Sequence, residues 1–517
     1  MMEELKNKLI LKKSVIEKNG NLVRMVTPII ENGEERKVFV EVEKKWAIYL
    51  TAERADSVLF LVLPVALREG YDIHCESPVT EMFLHNINEI LIPHLALGDK
   101  RIKKIKVYAT TESSKIGGKG VGTGISCGVD SLHTVQEYTR GLYPDMELSH
   151  LVIASANAEL WNTINSDMYH WECEHKTQFE RYNEVCKLTG LPLVKIYSNY
   201  FHYVCSKAYK RDWAIYHHLY VHTYITMATV LSLKKLWKTY YFSSSYDFTY
   251  FNLNGNMTED AAYCELLLME TLTVPDFFCF SGGAQYDRAD KMRMLMDYPI
   301  AQKTLHPCHS DGKMNCTKPW CGKCLRSLIV LDYYDKLDFF KDVFDIEAYR
   351  KNHFQYIYWT VHRFHEPHGE AFFKPLYQMI LEKYPNDVER AEKNYAWNIA
   401  TTVSKEQYNA VNRCYEICLK LLQTDNPSQV LTSFFSAKGV EKLYISGQSN
   451  FGSTLKQLLS NSIKLYDYKT ANATDCDAVL IIDTADSVIE GRKKTIRQRG
   501  VNASAIYTIA DLQGIFK

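Results

Sequence analysis

This sequence has no excess of charge of either sign and no block of like charges. Lys+Arg and Asp+Glu both total 61 among 517 residues, so the formal net charge is zero. Proteins that coat nucleic acid or an anionic membrane depend on a strong basic excess. We therefore expect neither nucleic acid nor a membrane as the partner of this chain.

A long unbroken apolar run is also missing. The first residues, MMEELKNKLILKKS, do not read as a signal peptide, and the most apolar helical stretch is interrupted by His222, Lys234 and Lys235. With 46% hydrophobic and 24% charged residues, the composition is typical of a globular protein of several domains. These features predict a cytoplasmic protein.

The order of apolar segments predicts four regions. Residues 1–115 alternate short apolar runs with turns, which indicates an N-terminal α+β extension. Residues 116–335 alternate strands with helices and predict a doubly wound parallel sheet of the α/β class. Residues 336–435 are predicted to be a helical packing layer or connector, and residues 436–517 a small Rossmann-like α/β domain.

The most informative stretch is GVGTGISCGVDSLHT, which begins at residue 120. It contains neither the Walker pattern nor the G-x-G-x-x-G fingerprint, so two familiar phosphate-binding loops are excluded. Glycines at every second position instead predict a strand, VGTGIS, that another part of the protein approaches closely. A helix is predicted to begin near Leu132.

The residues between that strand and helix run Ser-Cys-Gly-Val-Asp-Ser. This hexapeptide resembles the SGGxDS loop of the PP-loop ATP pyrophosphatases, a superfamily that includes GMP, NAD and asparagine synthetases. The resemblance implies an ATP-binding site in a PP-loop fold, formed by Ser126, Cys127, Gly128, Val129, Asp130 and Ser131. It further implies that Ser126, Gly128 and Ser131 line the pyrophosphate and that Asp130 helps to place Mg²⁺.

Cys127 departs from the glycine usual in that family. Either its backbone has a negative φ, or the phosphate lies slightly differently. A small apolar filler and a catalytic thiol are both open as its role. A simple alternative for the whole loop is a helix cap made by Asp130 and Ser131.

Fourteen cysteines in a chain of this length do not indicate a disulfide scaffold, but four of them are clustered. Cys308, Cys316, Cys321 and Cys324 include a Cys-Gly-Lys-Cys knuckle, and four thiolates can complete a closed tetrahedral Zn²⁺ site. A redox pair at Cys321 and Cys324, an iron–sulfur cluster and unrelated buried cysteines are the alternatives. His306 and His309 are spare ligands.

A PP-loop followed by a four-cysteine knuckle resembles 7-cyano-7-deazaguanine synthase and its relatives over residues 120–335. The zinc spacing differs from that enzyme's and its substrate-pocket pattern is missing, so deazaguanine is not implied as the substrate. In enzymes of this type a segment with Arg and Lys faces the phosphates, which makes Arg288 and Lys291 candidates to neutralise the leaving pyrophosphate. A solvated helix face is the alternative for these two residues.

The resemblance implies an adenylating ligase or synthase. A carboxylate or carbonyl of a small-molecule substrate would attack ATP, release pyrophosphate, and then be attacked by a nitrogen or sulfur nucleophile, giving AMP. Three alternatives stay open: a non-catalytic nucleotide sensor, a reductase of the adenylylsulfate type and an RNA-modifying enzyme. For the C-terminal unit, dinucleotide binding is doubtful because only Gly447 and Gly452 stand where three glycines are usual, and a docking role toward a protein partner is the alternative.

Overall fold

A mixed sheet of eleven strands occupies the centre of the first part of the chain. The chain folds in this way because its short apolar segments form strands with buried side chains. The strands up to residue 282 are β1 (Lys8–Leu11), β2 (Val15–Asn19), β3 (Leu22–Glu31), β4 (Glu34–Glu43), β5 (Asp72–Cys75), β6 (Val79–Thr80), β7 (Val107–Tyr108), β8 (Thr111–Glu112), β9 (Gly120–Gly124), β10 (His150–Ala154), β11 (Leu193–Ser198), β12 (Trp237–Ser243) and β13 (Phe278–Gly282). Of these, β6 and β8 pair only with each other.

The computed structural model describes residues 7–113, 115–155, 167–205, 216, 218–253, 260–308, 310, 312–366, 369–402, 424, 426–446, 455–456, 458–459, 463–466, 472–482, 486–508, 511–512 and 515. The chain divides into two units, Met1–Glu389 and Arg390–Lys517. The predicted boundaries at residues 115 and 335 both fall inside the first unit.

Helices cover the sheet and fill the later part of the first unit. Up to residue 304 they are α1 (Asp56–Glu69), α2 (Glu81–His85), α3 (Ile92–Gly98), α4 (Val129–Glu137), α5 (Met168–Glu174), α6 (Lys176–Thr189), α7 (Tyr200–Cys205), α8 (His218–Leu231), α9 (Glu265–Leu272), α10 (Arg288–Leu295) and α11 (Pro299–Thr304). After it come α12 (Gly322–Tyr333), α13 (Ile346–Lys351), α14 (His353–His365), α15 (Glu370–Lys383) and α16 (Pro385–Thr402).

The α/β prediction is confirmed at the level of class, with a sheet that is parallel only in part. Strands β13, β12, β9, β10 and β11 are neighbours in that order and run parallel. The sheet continues through β4, which is antiparallel to β11, so the strands of the predicted N-terminal extension, apart from β6 and β8, belong to the same sheet. Chain order reverses beside β9, and in open α/β sheets ligands bind at the carboxyl ends of strands beside such a reversal.

Capping residues fix where the helices next to that edge begin and end. Helix α6 is followed by Gly190, whose φ of +73° is the left-handed conformation that glycine adopts without strain. Helix α10 is capped at its start by Asp287, whose carboxylate accepts the N–H of Asp290 at 2.7 Å. The predicted alternation of strands and helices is confirmed between residues 148 and 295, where β10, α6, β11, α8, β12, β13 and α10 follow one another.

The second unit contains a four-stranded parallel sheet in the order β15, β14, β16, β17. Its strands are β14 (Lys442–Ser446), β15 (Lys464–Tyr466), β16 (Ala478–Ile481) and β17 (Ile506–Thr508), and its helices include α17 (Pro427–Ser436) and α18 (Asp486–Gln498). Gly447 and Gly452 lie outside the described residues. Among the described residues of the whole chain, no helix is both long enough and apolar enough to cross a bilayer.

The alternate glycines of β9 are explained by Trp237, a fully buried side chain at the start of β12. A Cβ atom added at Gly122 would lie 2.7 Å from the Trp237 ring, and one added at Gly120 would lie 2.7 Å from the carbonyl oxygen of Leu236. The close approach predicted from the glycine spacing is therefore confirmed.

We predict that Gly122→Ala destabilises the protein by about 1–3 kcal/mol, because a buried indole and a strand cannot separate without repacking. Gly124→Ala is the matched control, since its Cβ would meet its nearest neighbour, the Tyr240 hydroxyl, at an ordinary 3.5 Å. Urea unfolding of both variants measures the difference. Equal midpoints would show that the indole does not restrict the strand.

Candidate functional site

The loop between β9 and α4 folds back on itself through its two serines. The Oγ atoms of Ser126 and Ser131 lie 3.2 Å apart, and Ser126 Oγ accepts the N–H of Gly128 at 3.3 Å. Gly128 directly precedes the first turn of α4. The start of this helix carries unpaired N–H groups and the positive end of the helix dipole, so it attracts anions.

A cavity of about 440 Å³ opens at this loop. Four of the six residues predicted to bind ATP line it, namely Ser126, Gly128, Val129 and Asp130. Ser131 is buried and acts on the loop through its hydrogen bonds to Ser126 and Gly128.

Cys127 points away from the cavity into the core, where it has no exposed surface. Its φ is +58°, so the expected alternative of a negative φ is wrong; the left-handed conformation costs a non-glycine residue about 1–2 kcal/mol. Its carbonyl accepts the N–H of His306 at 2.7 Å, which holds the peptide in this orientation. Burial raises the pKa of the Cys127 thiol to about 12, so the thiol stays neutral and is a poor nucleophile.

Asp130 meets both predicted cations. Its carboxylate is 2.6 Å from Nη2 of Arg288 and 3.4 Å from Nζ of Lys291, and Lys291 also donates to the carbonyl of Ser244 at 2.6 Å. Burial alone would raise the pKa of Asp130, but the charges of Arg288 and Lys291 outweigh it and lower that pKa. The structure therefore brings the three predicted catalytic residues together, with Arg288 and Lys291 both at the carboxylate of Asp130.

Three further cations, which the sequence analysis did not single out, also line the cavity. They are Arg181 on α6, and Lys323 and Arg326 on α12. Burial, with the charges of Arg288 and Arg326, lowers the pKa of Lys323, while burial and Arg288 lower the pKa of Arg326 to about 9. The Nε atom of Arg326 is buried and has no hydrogen-bond partner within the described structure. Like charges this close, with an unused donor, favour an anionic ligand.

The helical region contributes an aromatic wall to the same cavity. The ring of Phe372 on α15 lies 4.9 Å from the guanidinium carbon of Arg288 and 4.6 Å from that of Arg326. Both contacts are within the range of cation–π attraction. This region was predicted only as a packing layer or connector, and the run of aromatic residues gave no indication which ring faces the site.

Two buried ionisable groups lie behind Lys291. His133 has no exposed surface, and burial together with the charge of Lys291 lowers its pKa to about 4. Burial raises the pKa of Glu265 to about 7, although the nearby Ser281 and Ser244 hydroxyls and the charge of Lys291 favour its charged form. At neutral pH the His133 ring is therefore uncharged, and the Glu265 carboxyl is partly protonated.

The four predicted cysteines form a cluster beside the cavity. The Sγ atoms of Cys308, Cys316, Cys321 and Cys324 all lie within 4.8 Å of one another. The Sγ atoms of Cys316 and Cys324 are 3.6 Å apart, close to the roughly 3.8 Å that a tetrahedron with Zn–S distances of about 2.3 Å requires. The cluster is compatible with zinc, and four thiolates leave no position open for a substrate.

The two spare histidines have different outcomes. His306 lines the cavity, and its Nε2 atom is 2.8 Å from the carbonyl oxygen of Ser310. His309 lies outside the described residues. The four cysteines account for a complete ligand set without either.

No family model, no curated protein and no solved structure matches this chain. A function must therefore be inferred from the chemistry of these residues.

We predict about one zinc ion per purified chain. Cys321→Ser should lose most of the metal and unfold at a lower temperature, because structural zinc contributes on the order of 10 kcal/mol to the segment it ties. Cys173→Ser, which changes an exposed cysteine outside the cluster, is the control. Metal analysis with thermal unfolding measures both. Visible absorbance with bound iron would instead indicate an iron–sulfur cluster.

Glu265 makes stability depend on pH. Its pKa is raised from 4.5 to about 7 in the folded protein, so its contribution is full below pH 4.5 and is lost as the pH rises through 7. We predict that Glu265→Gln flattens the fall in stability between pH 5 and 7.5, measured by urea unfolding at each pH. Glu270→Gln, an exposed position on the same helix, should leave the slope unchanged. Identical slopes for Glu265→Gln and the native protein would contradict the prediction.

Proposed function

We propose that this protein is an ATP-dependent adenylating enzyme with the chemistry of the PP-loop pyrophosphatases. An oxygen of a carboxylate or carbonyl substrate attacks the α-phosphorus of ATP, and the bond to pyrophosphate breaks. A nitrogen or sulfur nucleophile then attacks the activated carbon, and AMP leaves with the electron pair of the broken C–O bond.

One observation carries this proposal: five cationic side chains surround a serine- and glycine-containing loop at the start of a helix. They are Arg181, Arg288, Lys291, Lys323 and Arg326. Among the described residues that line the cavity, Asp130 is the one carboxylate, and the polyphosphate of ATP would supply further negative charge. Cations placed around the departing pyrophosphate stabilise the charge that develops as the P–O bond breaks.

Asp130 fits the role of a magnesium ligand. It is the carboxylate that lines the cavity, and Mg²⁺ commonly binds one or two carboxylates together with substrate phosphates. The ion would neutralise phosphate charge and polarise the reacting phosphorus. With Mg²⁺ on Asp130, Arg288, which lines the cavity, would contact the phosphates, while the buried Lys291 would act on them through Asp130.

A thiol-dependent reductase is the less favoured alternative, because the Cys127 thiol is neutral and therefore a poor nucleophile. Because this side chain is buried beneath the loop, a nucleotide in the cavity would contact the peptide backbone and not the sulfur. We propose that Cys127 fills the core and orients the peptide that bonds to His306.

The second unit is proposed to dock a protein partner or sense a ligand.

We predict that the zinc-replete protein forms AMP from ATP labelled at the α-phosphate when Mg²⁺ and a small-molecule extract are supplied. Asp130→Asn should abolish the product. Arg288→Gln and Arg326→Gln should each slow it by about 10²-fold, the typical loss of one charge-stabilising donor. Separation of labelled AMP from ADP and ATP measures the outcome.

Arg293→Gln is the matched control. Arg293 lies on the same helix as Arg288, is half-exposed, pairs with Asp290 and does not line the cavity. ADP as the product would show that the loop has been misassigned. ATP binding without AMP in any extract would favour the nucleotide sensor, and AMP formation that requires added RNA would favour the RNA-modifying enzyme.

A further inference from the structure

A second cavity, of about 930 Å³, lies beside β13 at the edge of the large sheet. Within the described part of the chain, it shares no lining residue with the cavity at Asp130. Its size falls within the range of about 300–1,000 Å³ that is usual for small-molecule sites. We refer to it as the edge groove; the proposed adenylation chemistry does not use it.

Aromatic rings form one wall of the edge groove. The Tyr138 and Tyr241 rings are stacked with their centroids 3.6 Å apart, and Phe280 lies 5.9 Å from Tyr241. Phe280 and Phe248 are 42% and 48% exposed, which is a large fraction for phenylalanine. Aromatic faces carry partial negative charge and attract cations.

The polar part of the lining carries charge of one sign. Glu137, Glu147 and Glu270 line the groove, and among the described residues no Lys, Arg or His does. Glu137 pairs with Arg140, and Glu147 accepts the N–H of Gly141 at 2.6 Å. Because the groove joins apolar faces to acidic groups, it complements a molecule that is both apolar and positively charged.

The open side of β13 is poorly suited to pairing with an added strand from a peptide. The N–H of Cys279 donates to the hydroxyl of Thr273 at 3.1 Å, so one of the outward-facing groups of this short strand is already paired. A peptide that extended the sheet would have to displace that hydroxyl. A compact ligand in the groove would leave the bond in place.

We propose that the edge groove binds a small organic cation with an aromatic or aliphatic body. The rings of Tyr138, Tyr241 and Phe280 would contact the body, and Glu147 and Glu270 would attract the charged group. An ammonium held against aromatic faces in this way gains cation–π attraction as well as apolar burial.

Isothermal titration calorimetry with three naphthalene probes tests this proposal. The probes carry a trimethylammonium, a hydroxymethyl or a sulfonate group on the same ring system. We expect the cation to bind about tenfold more tightly than the neutral probe, which is about 1.4 kcal/mol, and the anion to give no measurable heat. High salt should reduce the preference for the cation.

The double variant Glu147→Gln/Glu270→Gln should bring the cation to the affinity of the neutral probe, while Phe280→Ala should weaken both. The control Glu17→Gln/Glu34→Gln removes the same charge from two exposed positions on β2 and β4 and should leave binding unchanged. Equal binding of cation and anion, or no binding of any probe at millimolar concentration, would overturn the proposal. A peptide with basic and aromatic residues can be titrated in the same way. If it binds and none of the three probes does, the proposal is overturned in favour of protein docking.

Discussion

The candidate site depends on the repulsion among positive charges held around a single carboxylate. Arg288 and Lys291 contact Asp130 directly, while Arg181, Lys323 and Arg326 line the same cavity. Bringing such groups together is unfavourable unless anions compensate them; burial and the charge of Arg288 together lower the pKa of Arg326. A polyanion in the cavity would convert this repulsion into binding energy.

The surrounding structure holds the cations in place from three directions. Helix α10 brings Arg288 and Lys291 from the carboxyl end of β13, and α12 brings Lys323 and Arg326 from the cysteine cluster. Helix α15 places Phe372 against two guanidinium groups. The hydrogen bond from His306 to the Cys127 carbonyl joins the loop to the segment that leads into the cluster. A metal in the cluster would therefore stabilise the geometry of the cavity as well as its own segment.

Features that depend on neighbouring residues could be predicted from the sequence. The alternation of strands and helices, the glycine spacing of β9 and the cysteine cluster all follow from local pattern, and the structure bears them out. Arg288 and Lys291 were found because a family resemblance marked their segment. Arg326 and Phe372 were missed because their roles arise from contacts between distant parts of the chain. One signal was present: Lys323 stands between two cysteines of the knuckle, and Arg326 follows it three residues later, on the same face of a helix.

That spacing couples two parts of the molecule that are chemically unrelated. Cys321 directly precedes α12, Cys324 lies in its first turn, and Lys323 and Arg326 point from the same turns into the cavity. Each residue of an α-helix advances the side-chain direction by about 100°. A single inserted residue after Cys324 would leave all four thiolates able to meet, yet would rotate Arg326 out of the cavity. A ligand in the cavity would therefore constrain the length of this turn as strictly as a metal in the cysteine cluster would.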